Sequence, residues 1–229
     1  MTDIFAAVKE GDRDEVARIL ARDSAAAGAR DPDGVSVLLT AVYHGKDDIA
    51  DLLLAQGREL DVFEASAVGD TARVRELVDA DPSLASAYSP DGFFPLGLAA
   101  FFKHPNAIRE LIAAGADVRA VARNPMQVTA LHSAVANGGD RESALALIAA
   151  GADVNAQQRH GWTALHGAAE MGDREVVEAL LAAGADASVP TRDGKTAAEL
   201  AREQGSEELA AAFEGSSRLR GAEELTPGA

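Results

Sequence analysis

Cysteine is absent from this chain, which removes disulfides, thiolate nucleophiles and cysteine-based metal sites together. Aromatic residues are scarce: one Trp, two Tyr and seven Phe among 229 residues. A core must therefore be filled by Ala, Leu, Val and Ile, and of these alanine and leucine favour helix because they lose little side-chain freedom in it. Long apolar runs are missing too. The longest, 93–102, is about half of what a bilayer-spanning helix needs. Positive charge is in deficit, with 21 Lys and Arg against 37 Asp and Glu and a net charge of -16. Such a surface repels phosphate backbones and anionic lipid, so neither nucleic acid nor membrane is an expected partner. It favours solubility and can steer a basic protein. The opening MTDIFAAVKEGDRDE has no basic start followed by an apolar stretch, and there is no Asn-x-Ser/Thr acceptor, so a cytoplasmic location is expected.

Catalytic signatures are missing as well. There is no Gly-x-Ser-x-Gly elbow, no Gly-rich phosphate loop and no His-x-x-x-His or His-Glu-x-x-His spacing. Asp31-Pro32-Asp33-Gly34 has the look of a calcium loop but lacks the later acidic positions and the closing Glu, so it reads as a turn. No cofactor and no metal are expected. His44, His104 and His160 read as exposed loop or helix-end residues.

What the chain has in abundance is self-similarity. GADVNA at 151–156 echoes GADVRA at 115–120, and GADA recurs at 184–187; TALH stands at 129–132 and 163–166, with TAAEL at 196–200 a weaker copy. Gly151 to Gly184 and Gly161 to Gly194 are both 33 residues apart. The first half carries a longer period of 58, under which Asp3, Phe5, Gly11, Asp12, Pro32, Asp33, Gly34 and Leu38 fall on Asp61, Phe63, Gly69, Asp70, Pro90, Asp91, Gly92 and Leu96. Fixed periods of this size mark units that cannot bury their apolar faces alone and must stack.

Residues 161–186 show the grammar of one unit. Gly161 closes a turn, Thr163 caps a short helix with Leu165, Ala168 and Ala169 on its apolar face, and Gly172-Asp173 breaks the chain and caps again. Val176, Val177, Leu180 and Leu181 then recur at helical spacing up to Gly184. The 33-residue period, the TALH and GAD motifs and this turn-plus-two-helices order closely resemble the ankyrin repeat over about residues 2–214. The resemblance implies an all-α solenoid of about seven stacked helix pairs, near 4–22, 36–57, 62–80, 94–115, 129–151, 163–184 and 196–214. It also implies that His132 and His166 are structural, bonding between adjacent turns. The tail over 215–229 has no apolar period and is expected to be disordered, and with nothing demanding self-association a monomer is expected. The pattern departs from the family at Val37 and Leu39, which replace its Pro and His, and at Phe94-Pro95-Leu96-Gly97, where both Thr and His are lost. The third pair follows the second with almost no turn, and 122–128, ARNPMQV, is an insertion before the fifth.

By the same resemblance, the function is non-catalytic binding of a protein partner through a concave face of turn tips and first helices. On this sequence those positions hold Tyr43, His44, Phe93, Phe101, Phe102, Arg159, His160, Trp162 and Met171, with Phe94 adjacent. Large aromatics and Met concentrate at interface hot spots, so their gathering here is a candidate binding surface. Packing between repeats is the competing reading for Phe94, Phe101 and Phe102. An accessory or inhibitory subunit of a specific enzyme would use the same face. A hydrolase built from scattered Asp, Glu and His is the alternative from another class.

Overall fold

The computed structural model describes residues 3–136 and 138–213; the tail expected over 215–229, and Asn137, lie outside the described residues. The described chain is a helix-pair solenoid with no strand. The first helices of the pairs are α1 (Ile4–Glu10), α3 (Val37–Tyr43), α5 (Val62–Val68), α7 (Pro95–Phe101), α9 (Ala130–Val135), α11 (Ala164–Met171) and α13 (Ala197–Glu203). Their partners are α2 (Arg13–Arg22), α4 (Asp47–Leu54), α6 (Thr71–Ala80), α8 (Pro105–Ala113), α10 (Arg141–Ala149) and α12 (Arg174–Ala182), with α14 over 207–213. First helices pack on one another in chain order from α1 to α13. One long apolar cluster runs through the stack, built of small and branched residues such as Ala41, Leu38, Ile49, Ala99, Ile108, Leu131, Ala168 and Leu180. No first helix exceeds eight residues, so none could persist alone in water, and inter-repeat packing holds them.

Side-chain caps start most of the helices, though α4, α7 and α8 begin without one. Asp12, Asp70 and Asp173 accept the N–H of a residue two or three places on, which satisfies the free amides where α2, α6 and α12 begin. The 58-residue period is a structural unit: helix pair, 3-10 turn, hairpin tip, helix pair. The 3-10 turns at Ser24–Gly28 and Pro82–Ser86 are each capped by an Asp, Asp23 and Asp81, placed one period apart.

Outer helices are laced by ion pairs one repeat apart: Arg13 to Asp48, Arg75 to Glu110, Arg109 to Glu142, Arg141 to Asp173 and Arg174 to Glu208. All are exposed on at least one side, so each contributes little. The ladder spends much of the limited positive charge away from the first helices.

His132 and His166 are buried in a Thr–His box. The Thr129 N–H donates to His132 Nδ1 at 3.2 Å, which leaves the proton on Nε2 to donate to the Trp162 carbonyl of the next repeat at 3.1 Å. The Thr163 N–H donates to His166 Nδ1 at 3.0 Å, while its Nε2 has no hydrogen bond among the described residues, although the Lys195 and Val189 carbonyls face it. Burial lowers the pKa of both rings, and that of His104. His104 is a helix-end residue, at the N-cap of α8, but it corrects the expected exposure: it is half-buried over Gly69, with Nε2 on the Ala67 carbonyl at 3.1 Å. Because these rings are neutral in the folded state and protonate more readily when unfolded, the unfolded chain binds more protons below about pH 6.5. Urea midpoints are expected to fall as pH drops from neutral towards 5, and the double variant H132Q/H166Q should flatten that slope. An unchanged slope would show that neither ring is desolvated.

Candidate functional site

A groove of about 410 Å³ opens between the hairpin tips and the first helices of the middle repeats. Its surface is almost wholly apolar, with Tyr43, Phe93, Leu98, Phe101, Phe102, Met126 and Val128 as walls and Gly97, His132, Ser133, Ala136 and Gln158 completing it. It exists because of what the neighbouring repeats lack. The third helix pair carries no hairpin tip, so the tips of the second and fourth repeats meet across it: Pro90 rests on Gly34, where a Cβ would come within 2.9 Å of its ring. The same closure lets Tyr43 reach over α5. Its ring lies 6.0 Å from Phe93 and stacks nearly parallel to Phe102 at 6.2 Å, while Phe101 stands edge-on to Phe102 at 5.0 Å.

The floor follows from the positions where the Thr–His box is lost. Leu39 occupies a box His position and joins Ala67 and Leu98 in a small apolar cluster separate from the main core, on which Tyr43, Phe93 and Phe102 rest. Gly97 occupies the other. The Phe94 ring fills the space above it, 3.0–3.3 Å from where a Cβ would be, and is 3 % exposed, so Phe94 belongs to the core. A buried imidazole beneath this surface would have needed polar partners; Leu39 and Gly97 need none.

The Tyr43 hydroxyl donates to Asp91 Oδ2 at 3.0 Å, and the Ser89 hydroxyl donates to the other oxygen. Burial and the Asp91 charge push the Tyr43 pKa well up, so the phenol stays a donor and its ring is held in place. Backbone bonds then stitch the following tips: the Arg123 N–H to the Gly92 carbonyl at 2.8 Å, Arg159 to Met126 at 3.3 Å, and Arg192 to His160 at 2.7 Å. Gly92 has φ +81°, and a Cβ there would come 2.6 Å from the Arg123 carbonyl oxygen, so only glycine admits the first of these close contacts.

Of the residues singled out from sequence, Tyr43, Phe93, Phe101 and Phe102 come together in one groove. Arg159, His160 and Trp162 line an adjoining polar cleft of about 310 Å³ with Glu170. Trp162 is partly buried against the core and its ring lies 5.6 Å from His166. His44 is exposed, with Nδ1 on the Thr40 carbonyl at 2.9 Å, and Met171 lies against Gly139, in a third hollow. Sequence reasoning missed Leu98, Met126 and Gln158. Met126, 48 % exposed, is carried by the insertion at 122–128, which is the signal that could have found it.

Among the described residues no group of three His, Asp or Glu side chains could hold a metal ion, and no helix is long and apolar enough to cross a membrane. The one imidazole at the groove, His132, has both nitrogens engaged by Thr129 and the Trp162 carbonyl. A search of the curated proteins finds no match to the chain. The family model of ankyrin repeats in three copies matches residues 62–158 and 135–213. With the stacked helix pairs, the hairpin tips and the Thr–His boxes described above, that match places this chain in the ankyrin-repeat family.

Proposed function

We propose that this chain is a non-catalytic module that receives a protein partner on the face of hairpin tips and first helices, with the aromatic groove as its anchor point. Ankyrin repeats are generally protein–protein interaction modules, and the finer reading rests on the groove itself. The observation that carries it is the placing of rings: four of only ten aromatics, with Leu98 and Met126, line one groove of about 410 Å³. Phe101 is 42 % exposed and Met126 48 %, on a chain whose core is mostly filled by aliphatic residues, with Phe5, Phe94 and Phe213 its buried rings. Water leaving such a surface favours association, and a large side chain entering the groove would touch rings already held by Tyr43 and Asp91.

The test is affinity capture from cell extract with the full chain and the double variant F101A/M126A side by side. Truncating two hot-spot side chains costs on the order of 2 kcal/mol or more, so specific capture should drop at least about thirtyfold. Thermal unfolding should move little, by less than about 1 kcal/mol, because both side chains face water. Equal capture by both proteins would move the binding site elsewhere. An accessory or inhibitory subunit would use the same groove, and assaying any captured enzyme with and without this chain separates regulation from passive tethering. Against the hydrolase reading stands the engagement of both titratable side chains in the groove lining, the Tyr43 hydroxyl by Asp91 and the His132 nitrogens by Thr129 and the Trp162 carbonyl.

A further inference from the structure

The tips that border the groove change sign along the stack. The second-repeat tip carries Asp31 and Asp33. Asp31 caps its own turn, with Oδ1 accepting the N–H groups of Asp33 and Val35 at 3.0 and 2.9 Å, and Asp33 is exposed with no ion pair among the described residues. The one cation beside them, Arg30, is committed to Asp61 at 2.6 Å. The fourth-repeat tip carries Asp91, whose oxygens are held by two neutral hydroxyls and by no cation among the described residues; Arg123, on the next tip, lies with its guanidinium over the Tyr88 ring at 3.7 Å. Beyond the groove the sign reverses. Arg159 and Arg192 are exposed on consecutive tips, stitched by their backbone N–H groups to Met126 and His160, and neither has an ion pair among the described residues. Asp193 is the one acid there, and Lys195 is occupied by Glu203 at 2.7 Å. Lys103 and Glu170 stand at the far ends of α7 and α11, roughly 10 Å of helix away from the tips, so the polarity belongs to the tip row.

An apolar groove between a negative and a positive rim selects its occupant twice, by shape at the centre and by sign on either side. Resting on the protein-binding reading above, we propose that the occupant is a peptide segment with segregated charge: a bulky apolar side chain seated between Phe101 and Met126, basic residues towards Asp33 and Asp91, and acidic residues towards Arg159 and Arg192. The opposed rims fix the register and direction of the segment, because turning it around sets like charges against each other on both flanks. A net charge of -16 by itself draws cations anywhere on the surface; the rim makes the C-terminal flank the exception.

The experiment is to pan a random dodecapeptide library displayed on phage against the full chain, and against F101A/M126A. Enriched peptides should share one large apolar residue with Lys or Arg on one side and Asp or Glu on the other. For a synthetic copy of such a peptide, D33K and R159E should each weaken binding about two- to fivefold at low salt, and a charge-scrambled copy should lose a similar factor that shrinks at high salt. Enriched peptides with an apolar anchor but uniform or unordered charge would overturn the polarity and leave the groove reading standing. Peptides that bind F101A/M126A as well as the parent, or no enrichment on the parent at all, would overturn both.

Discussion

Replacing Phe94 by alanine is expected to be among the most damaging single changes in the chain, costing about 3–5 kcal/mol of unfolding free energy. The ring is 3 % exposed, tilts against Tyr88 at 5.9 Å, and fills the space above Gly97 that the box histidine occupies in the fifth and sixth repeats. The removed volume has nothing to collapse into, since Gly97 has no side chain. F94T alone should be nearly as costly, because the threonine would lack its histidine. The pair F94T/G97H rebuilds the box, with the Val128 carbonyl standing where Trp162 stands for His132, and should recover most of the loss. Chemical unfolding of the parent and the three variants checks this. If F94T/G97H were no more stable than F94T, the equivalence of a ring over glycine with a Thr–His box would be wrong.

The second large effect is expected at Arg58. Glu64 is fully buried at the start of α5, where its carboxylate accepts from both arms of Arg58, from the Asp61 N–H at 3.1 Å and from Ser36 of the preceding repeat. Burial alone would raise the Glu64 pKa, but the hydrogen bonds from Arg58, Ser36 and Asp61 together with the Arg58 charge outweigh it and hold the group below the ordinary carboxylate range. R58M leaves that carboxylate buried without its cation and should cost about 3–5 kcal/mol at neutral pH, while R58M/E64L should recover most of it. The parent's share of stability from this pair is present above the ordinary glutamate pKa of about 4.3 and is lost as pH falls through the lower folded value. It disappears at more acid pH than the histidine contribution, so acid unfolding should proceed in two successive declines. A shallower decline for E64Q than for the parent between pH 5 and 2 checks the second; the slope that remains belongs to other carboxylates held low, such as Glu110 and Glu199.

Much of this was legible in the residues. TALH, GAD and the 33-residue spacing carry the stacking of the last three repeats, because each motif is a local device: a cap, a buried imidazole, a left-handed glycine. The aromatics Tyr43, Phe93, Phe101 and Phe102 could be assigned to one face by counting along helices. Their meeting could not, since Tyr43 and Phe93 lie 50 residues apart and touch only because the repeat between them has no tip. Phe94 and Phe102 sit eight residues apart in one run of similar composition, yet one is core and the other a groove wall; the difference is which side of α7 each faces. The burial of His104 at its helix end was not legible because no motif announces a histidine packed on a neighbour's glycine.

The amino-acid sequence by itself determined the fold class, the repeat and the sign of each hairpin tip, because these depend on local propensity and periodicity. Tertiary structure decided where the groove lies and what closes it. That needed Pro90 on Gly34, the Tyr43 hydroxyl on Asp91, and Leu39 and Gly97 where the box histidines would be. These are contacts between segments far apart in the chain, brought together only when stacking buries their apolar faces.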